Sequence, residues 1–239
     1  MLRYVDLENV LFLDIETVPA VAHFNELDED WKHLWEEKSR FFRERDEISL
    51  EDSYDRAGIY SEFGKIVCIS VGYLRQSRGD RKYRTTSFYG HDERVILADF
   101  ANLLNTHFSE RSHMLCGHNG KEFDFPFIAR RMLVHGIKLP ELLDTAGKKP
   151  WEVTHIDTLE LWKFGDYKHY TSLKLLTKLF GIPTPKDDID GSQVASVYYN
   201  DGDVERISTY CKKDVLAVVQ LVLKYRGEEL IPADAVQEV

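Results

Sequence analysis

Apolar positions along the chain change period several times, and each change predicts an element. Val10–Ile15 (VLFLDI) is a short apolar run that predicts a buried strand closing on acidic residues. Ile66–Tyr73 (IVCISVGY), rich in β-branched residues, predicts a second strand, and Tyr83–Tyr89 (YRTTSFY) alternates as a third. Over Arg94–His107 the spacing becomes helical, with Ile96, Leu97, Phe100, Leu103 and Leu104 on one face. His113–Cys116 predicts a short strand before a GHNG turn, and Glu122–His135 a helix with Gly136 at its C-cap. A last short strand is expected at His155–Asp157. Helices are expected at Thr171–Phe180, roughly Gly191–Tyr199 and Asp203–Tyr225, leaving 226–239 as a C-terminal tail. Strands come first and helices dominate later, with at least one strand–helix–strand unit. The class is therefore α/β, in a single domain spanning 1–239.

One segment breaks this rhythm. Residues 19–56 hold twelve acidic and six basic side chains. Within them Trp31, Leu34, Trp35, Lys38 and Phe42 have the spacing of an amphipathic helix. The segment reads as a helical acidic insertion after the first strand, packed over the sheet edge or beside the site. The whole chain, at 43% hydrophobic and 30% charged, is excluded from disordered and disulfide-stapled classes. Its formal charge of −10 argues at first against a nucleic-acid partner. The insertion carries more than half of that excess, however, so the average misrepresents the rest of the surface. Cys68, Cys116 and Cys211 lie in apolar stretches without CxxC spacing and read as buried thiols in a reducing compartment. No apolar run reaches the ~18 residues of a membrane span, and the N-terminal one is too short for a signal-peptide core. The expectation is a cytoplasmic protein with no membrane partner.

Four carboxylates stand out by position. Asp14 and Glu16 are two apart at the end of the first strand, so they project from one face. Two such charges need something to neutralise them, or else they belong to a cap or solvated turn. Asp124 opens a helix in HNGKEFD, where the macrodipole favours an acid whatever its role, and Asn119 suits a turn beside Gly120. Tyr210 and Asp214 share a helical face in YCKKDV, beside a core face formed by Ile207, Cys211, Val215, Val218 and Val222. Each piece alone has a plain structural reading.

As a set, DxE, Nx3FD and Yx3D occur in order at Asp14, Asp124 and Asp214. This resembles the DEDD (DnaQ-like) superfamily of 3′–5′ exonucleases, which implies an RNase H-like fold, a mixed central sheet flanked by helices. Tyr210 marks the DEDDy branch, and Thr209 stands where the other branch has histidine. LFLDIETV, GIYSEFGKIVCISVGY, GHNGKEFDFPFI and YCKKDV are similar to one group in particular, over roughly Val10 to Val222. That group is the predicted stand-alone exonucleases related to the proofreading domain of family B DNA polymerases.

The resemblance implies metal-dependent removal of nucleotides from the 3′ ends of single-stranded DNA, in DNA repair or replication. It implies that Asp14, Glu16, Asp124 and Asp214 hold two Mg²⁺ or Mn²⁺ ions, with Asp14 bridging, and that Tyr210 orients the attacking water. Hard ions favour oxygen ligands, which accounts for a constellation without Cys or His. It also implies that the backbone near Thr17 meets the terminal nucleotide, with Asn119 and Phe123 near its sugar and base. Phe123 reads equally as a core anchor. A basic run of Lys163, Lys168, His169, Lys174 and Lys178 could track a phosphate backbone or be a solvated face. Asp157 reads as an outer member of the acidic cluster or as a cap. Gly58–Lys65 fails the P-loop spacing, and Lys186 and Val197 fill ligand positions that an EF-hand loop would need. RNA as substrate, and a catalytically silent nucleic-acid-binding protein, are the alternatives.

Overall fold

The computed structural model describes residues 1–77, 80–166, 170–183 and 188–239. The first apolar run forms β1 (Val10–Pro19), which continues past the two acids. The insertion supplies α1 (Glu29–Asp46) and α2 (Leu50–Ser53). Then come β2 (Gly64–Ser77), β3 (Asp80–Tyr89), α3 (Glu93–His107), β4 (Met114–Gly117) and α4 (Asp124–Val134). β5 (Ile156–Asp157), α5 (Thr158–Lys163), α6 (Leu173–Leu179), α7 (Val194–Ser196), α8 (Val204–Arg226) and β6 (Val236–Glu238) complete the described elements. Among the described residues one sheet runs in the order β5-β4-β1-β2-β3-β6. β1, β2 and β3 are antiparallel neighbours, while β4, β5 and β6 join as parallel strands.

β1 is covered on both faces, which explains its nearly continuous apolar sequence. Leu11, Leu13 and Ile15 enter a core with Ile96, Phe100 and Ile128 of α3 and α4. Val10 and Phe12 enter another with Val215, Val218 and Val222 of α8. α8 thus lies on the opposite face from α3 and α4. The predicted C-cap of α4 forms: Gly136 is left-handed (φ 66°), with Ile137 N–H on the Met132 carbonyl at 2.8 Å. Among the described residues no helix is long and apolar enough to cross a membrane.

The structure corrects several expected elements. The 226–239 segment adds β6 at the sheet edge, beside Tyr83–Thr85 of β3. Three residues with one apolar member are too few to show a strand period. The expected helix at Gly191–Tyr199 is a 3₁₀ turn, the short α7 and a π turn over Val197–Asp201. The widened turn rotates successive residues less, so Val197 and Tyr198 are both buried. α5 has no counterpart among the expected helices because six residues are too short for a helical period. In the insertion, Trp35 is fully buried against Tyr54 and Phe63, with Nε1 donating to Ser53 Oγ at 3.0 Å. Trp31 and Leu34, expected on the same apolar face, remain 41% and 46% exposed. Phe63 also accepts the Ala20 amide at 2.8 Å, so the insertion sits beyond the acidic end of β1.

Glu93, at the start of α3, ties two layers together. Its carboxylate accepts from the Ile66 amide at 2.7 Å, from Arg131 Nε at 2.9 Å and from His135 Nε2 at 2.7 Å. Removing one partner of a buried pair strands the others. Glu93→Ala is expected to cost about 3–5 kcal/mol, read from urea denaturation; a loss under about 1 kcal/mol would contradict this account.

Candidate active site

Asp14 and Glu16 belong to the β1 series that faces α8, between Phe12 and Val18. They interrupt an apolar seam, with Val10 and Phe12 on one side and Val18, Val67 and Cys68 on the other. α8 crosses the gap, and its Cys211 thiol lies 3.4 Å from both the carbonyl oxygen and Oδ2 of Asp14. One carboxylate oxygen each from Asp14 and Glu16, with Cys211 Sγ, lie within 4.8 Å of one another. Cys211 is thus part of the cluster's surroundings, where the sequence suggests only a core thiol and no sulfur near the acids. Its pairing with Asp14 depends on how α8 crosses the sheet, which no local pattern encodes.

Asp124 arrives from the other edge of β1. β4 pairs with β1 only over Val10–Phe12, so the later residues have no strand on that side. The Ile15 amide donates instead to Asp124 Oδ1 at 3.1 Å. This satisfies a buried main-chain donor and brings the first residue of α4 to the β1 carboxylates. The preceding turn is tightly built. Asn119 is left-handed (φ 67°), and a Cβ on Gly120 would fall 2.8 Å from the Phe125 ring. Asp157 clasps this turn, accepting from the Asn119 and Lys121 amides at 3.0 Å each while capping α5 through Leu159 at 2.9 Å. It therefore serves as a cap and a clasp on the Asn119 turn together.

Tyr210 is half-buried against the core around Val18 and Cys68, and Asp214 is half-buried one turn later. Burial pushes the Tyr210 phenol far up, and the charges of Asp214, Glu16 and Asp14 reinforce it. Burial likewise raises Asp14 well above the carboxylate range, helped by Asp124, Glu16 and Asp214, with the Cys211 thiol opposing. Glu16 is raised by burial and then by Asp214. Burial brings Asp124 up to about 7, against the two backbone amides it accepts from. The structure thus draws Asp14, Glu16, Asp124, Tyr210 and Asp214 into one centre of mutually repelling acids under a protonated phenol.

The expected substrate contacts are placed less uniformly. A β-bulge follows Glu16, and Thr17 Oγ1 donates to the Gly58 carbonyl at 2.8 Å. The glycines of GIYSEFGK serve packing: a Cβ on Gly64 would fall 2.8 Å from the Gly58 oxygen. Phe123 is half-buried, its ring 5.5 Å from Phe127. Of the basic run, Lys174 and Lys178 are exposed on α6, and Lys163 is half-buried. Lys168 and His169, like Lys186 in the rejected EF-hand, lie outside the described residues.

A family model described as a predicted 3′–5′ exonuclease related to the exonuclease domain of PolB matches residues 59–230. That range takes in Asn119, Asp124, Tyr210 and Asp214 and begins after Asp14 and Glu16. The fold is similar to the family B DNA polymerase of the hyperthermophilic archaeon Pyrobaculum calidifontis, at 16% identity and a TM-score of 0.57. The match covers 90% of this chain and 24% of that one, so the chain spans about a quarter of the polymerase. Two further matches are E. coli exonuclease I, solved with a dT13 oligonucleotide, and the RNase domain of yeast Pop2. Their identities are 13% and 10%, and their TM-scores 0.44 and 0.43. They cover 91% and 99% of this chain, and 41% and 83% of their own. The fold is a mixed sheet flanked by helices, as the motif set implied, and it is shared with the polymerase.

A carboxyl raised to about 7 in the fold, from about 4 when unfolded, costs stability wherever the unfolded chain would ionise it. The penalty is absent below about pH 4, grows between about pH 4 and 7, and is full above that. Asp124→Asn keeps an acceptor for Ile15 and removes the charge. In EDTA it is expected to raise Tm by roughly 3 °C or more at pH 8, with the gain shrinking toward pH 4. Melting curves across that range check this; a gain independent of pH would refute it.

Proposed function

The chain belongs to the family of predicted 3′–5′ exonucleases related to the exonuclease domain of PolB, and on that premise we propose that it shortens single-stranded DNA from the 3′ end with two divalent ions. The observation that carries this reading is the convergence of buried acids from β1, α4 and α8, each raising the pKa of its neighbours. Such a cluster is stable when cations neutralise it, and carboxylate oxygens are ligands for hard ions. Asp14, Glu16, Asp124 and Asp214 would hold Mg²⁺ or Mn²⁺. Bound ions supply Lewis-acid activation of water and charge relief at the phosphate.

The chain's own groups do the positioning. Tyr210 keeps its proton throughout the physiological range, so Oη acts as a donor that orients the attacking water and not as its base. The Thr17 backbone, Asn119 and Phe123 border the terminal nucleotide. DNA is favoured over RNA by the family's relation to a DNA polymerase domain, and the pathway would be repair or replication. Three free buried thiols suit a reducing, cytoplasmic setting.

The test is digestion of 5′- and 3′-labelled single strands of DNA and of matched RNA. Stepwise loss from the 3′ end of DNA is expected with Mg²⁺ or Mn²⁺, abolished by EDTA and reduced at least ~10³-fold in Asp14→Ala. Activity that survives either change would sink the two-ion reading, and faster digestion of RNA would reassign the substrate. Tyr210→Phe is expected to lower kcat roughly 10–100-fold with KM within about twofold. A change confined to KM would instead make Tyr210 a substrate-binding group.

A further inference from the structure

A second phenol stands at the same centre, away from Tyr210. Tyr170 precedes α6, and the residue is 67% exposed. It is supported from behind by the His118 imidazole, edge to face, with centroids 6.4 Å apart. His118 is itself pinned, 2.9 Å from Thr158 Oγ1 through Nδ1 and 2.9 Å from the Thr171 carbonyl through Nε2. A carbonyl can only accept, so Nε2 carries the proton, and the Thr158 hydroxyl is shared between Nδ1 and the Gly117 carbonyl, 3.3 Å away. Burial lowers the His118 pKa, which keeps the ring neutral at physiological pH and this arrangement intact. The imidazole also directly precedes Asn119, so the support belongs to the turn that Asp157 clasps.

Through His118 the ring is joined to the Asn119 turn, whose carbonyl accepts from the Phe123 amide at 3.0 Å immediately before Asp124 opens α4. With partial burial, the charges of Asp124, Asp14 and Asp157 raise its phenol, whereas Asp214, Glu16 and Asp14 act on Tyr210. The charge of Asp14 thus acts on both rings, that of Asp124 on Tyr170 and that of Asp214 on Tyr210. An exposed aromatic residue usually needs no explanation. This one is backed by a pinned imidazole, open to solvent and tied through that imidazole to the turn that leads into Asp124. Unpaired bases of a single strand present open π-faces, and stacking on them tolerates any sequence.

We propose that Tyr170 is a substrate-contacting residue whose ring stacks on a nucleobase of the bound single strand beside the scissile bond. The proposal rests on the nuclease reading of the same centre, and its test separates the two. Binding of a fluorescein-labelled oligothymidylate is measured by anisotropy with Ca²⁺ for the wild type, Tyr170→Phe and Tyr170→Ala, with melting curves as the folding control. Tyr170→Ala is expected to bind about tenfold more weakly and Tyr170→Phe within about twofold of wild type. An oligonucleotide abasic at its 3′-terminal positions should erase the difference between wild type and Tyr170→Ala. Equal affinity of all three proteins overturns the proposal, as does an equal loss in the Phe and Ala variants. A tenfold difference that persists on the abasic strand overturns it too. Digestion with Mg²⁺ is run in parallel. A wild type that binds in this pattern without shortening the strand overturns the exonuclease reading alone, and no binding at all overturns both.

Discussion

The hydrogen bond from the Ile15 amide to Asp124 joins the parts of this centre. β1 outruns β4, and the main-chain donor left behind must find an acceptor in a dry interior. Supplying that acceptor from the first residue of α4 fixes the helix against the strand and delivers a carboxylate to the two already on β1. A polar side chain that satisfies the backbone is thereby also committed to the site. The tight turn before it, with Gly120 against Phe125 and Asp157 holding the Asn119 and Lys121 amides, keeps α4 from drifting.

The arrangement is under electrostatic tension. Asp14 and Glu16 occupy a face whose neighbours in the same series, Phe12 and Val18, are fully buried apolar residues. The protein accepts like charges there because the surrounding framework is strong. Apolar cores flank the gap on both sides, and Glu93 locks α3, α4 and β2 together with paired charges. Local instability held in place by a rigid surround is how functional sites commonly depart from the rules that stabilise the rest of a fold. The insertion adds to this frame beyond the end of β1, and it carries most of the chain's excess negative charge without belonging to the acidic centre.

Much of the centre is legible in the amino-acid sequence. Asp14 and Glu16 stand out as acids two apart in an apolar strand, and Yx3D places Tyr210 and Asp214 on one helical face. These are local periodicities, and local periodicity survives in sequence. Cys211, one residue after Tyr210, reads as core because its meeting with Asp14 depends on how α8 crosses the sheet. Asp157 reads as a cap, which it is, while its hold on Asn119 spans 38 residues. Tyr170 sits in a stretch whose visible signal is its lysines, because its proximity to the acids arises through His118. β6 and α5 escape because elements of three and six residues are too short to show a period.

The amino-acid sequence by itself determined the class of fold, the strand and helices that carry the chemistry, and the order of the acidic motifs. Those follow from side-chain alternation and helical spacing, which act between near neighbours. Tertiary structure alone decided that the acids from three elements meet, and which pKa values rise as a result. It also decided which aromatic rings border them and where the acidic insertion lies. Burial and charge–charge repulsion depend on distances in space, and no spacing along the chain specifies those.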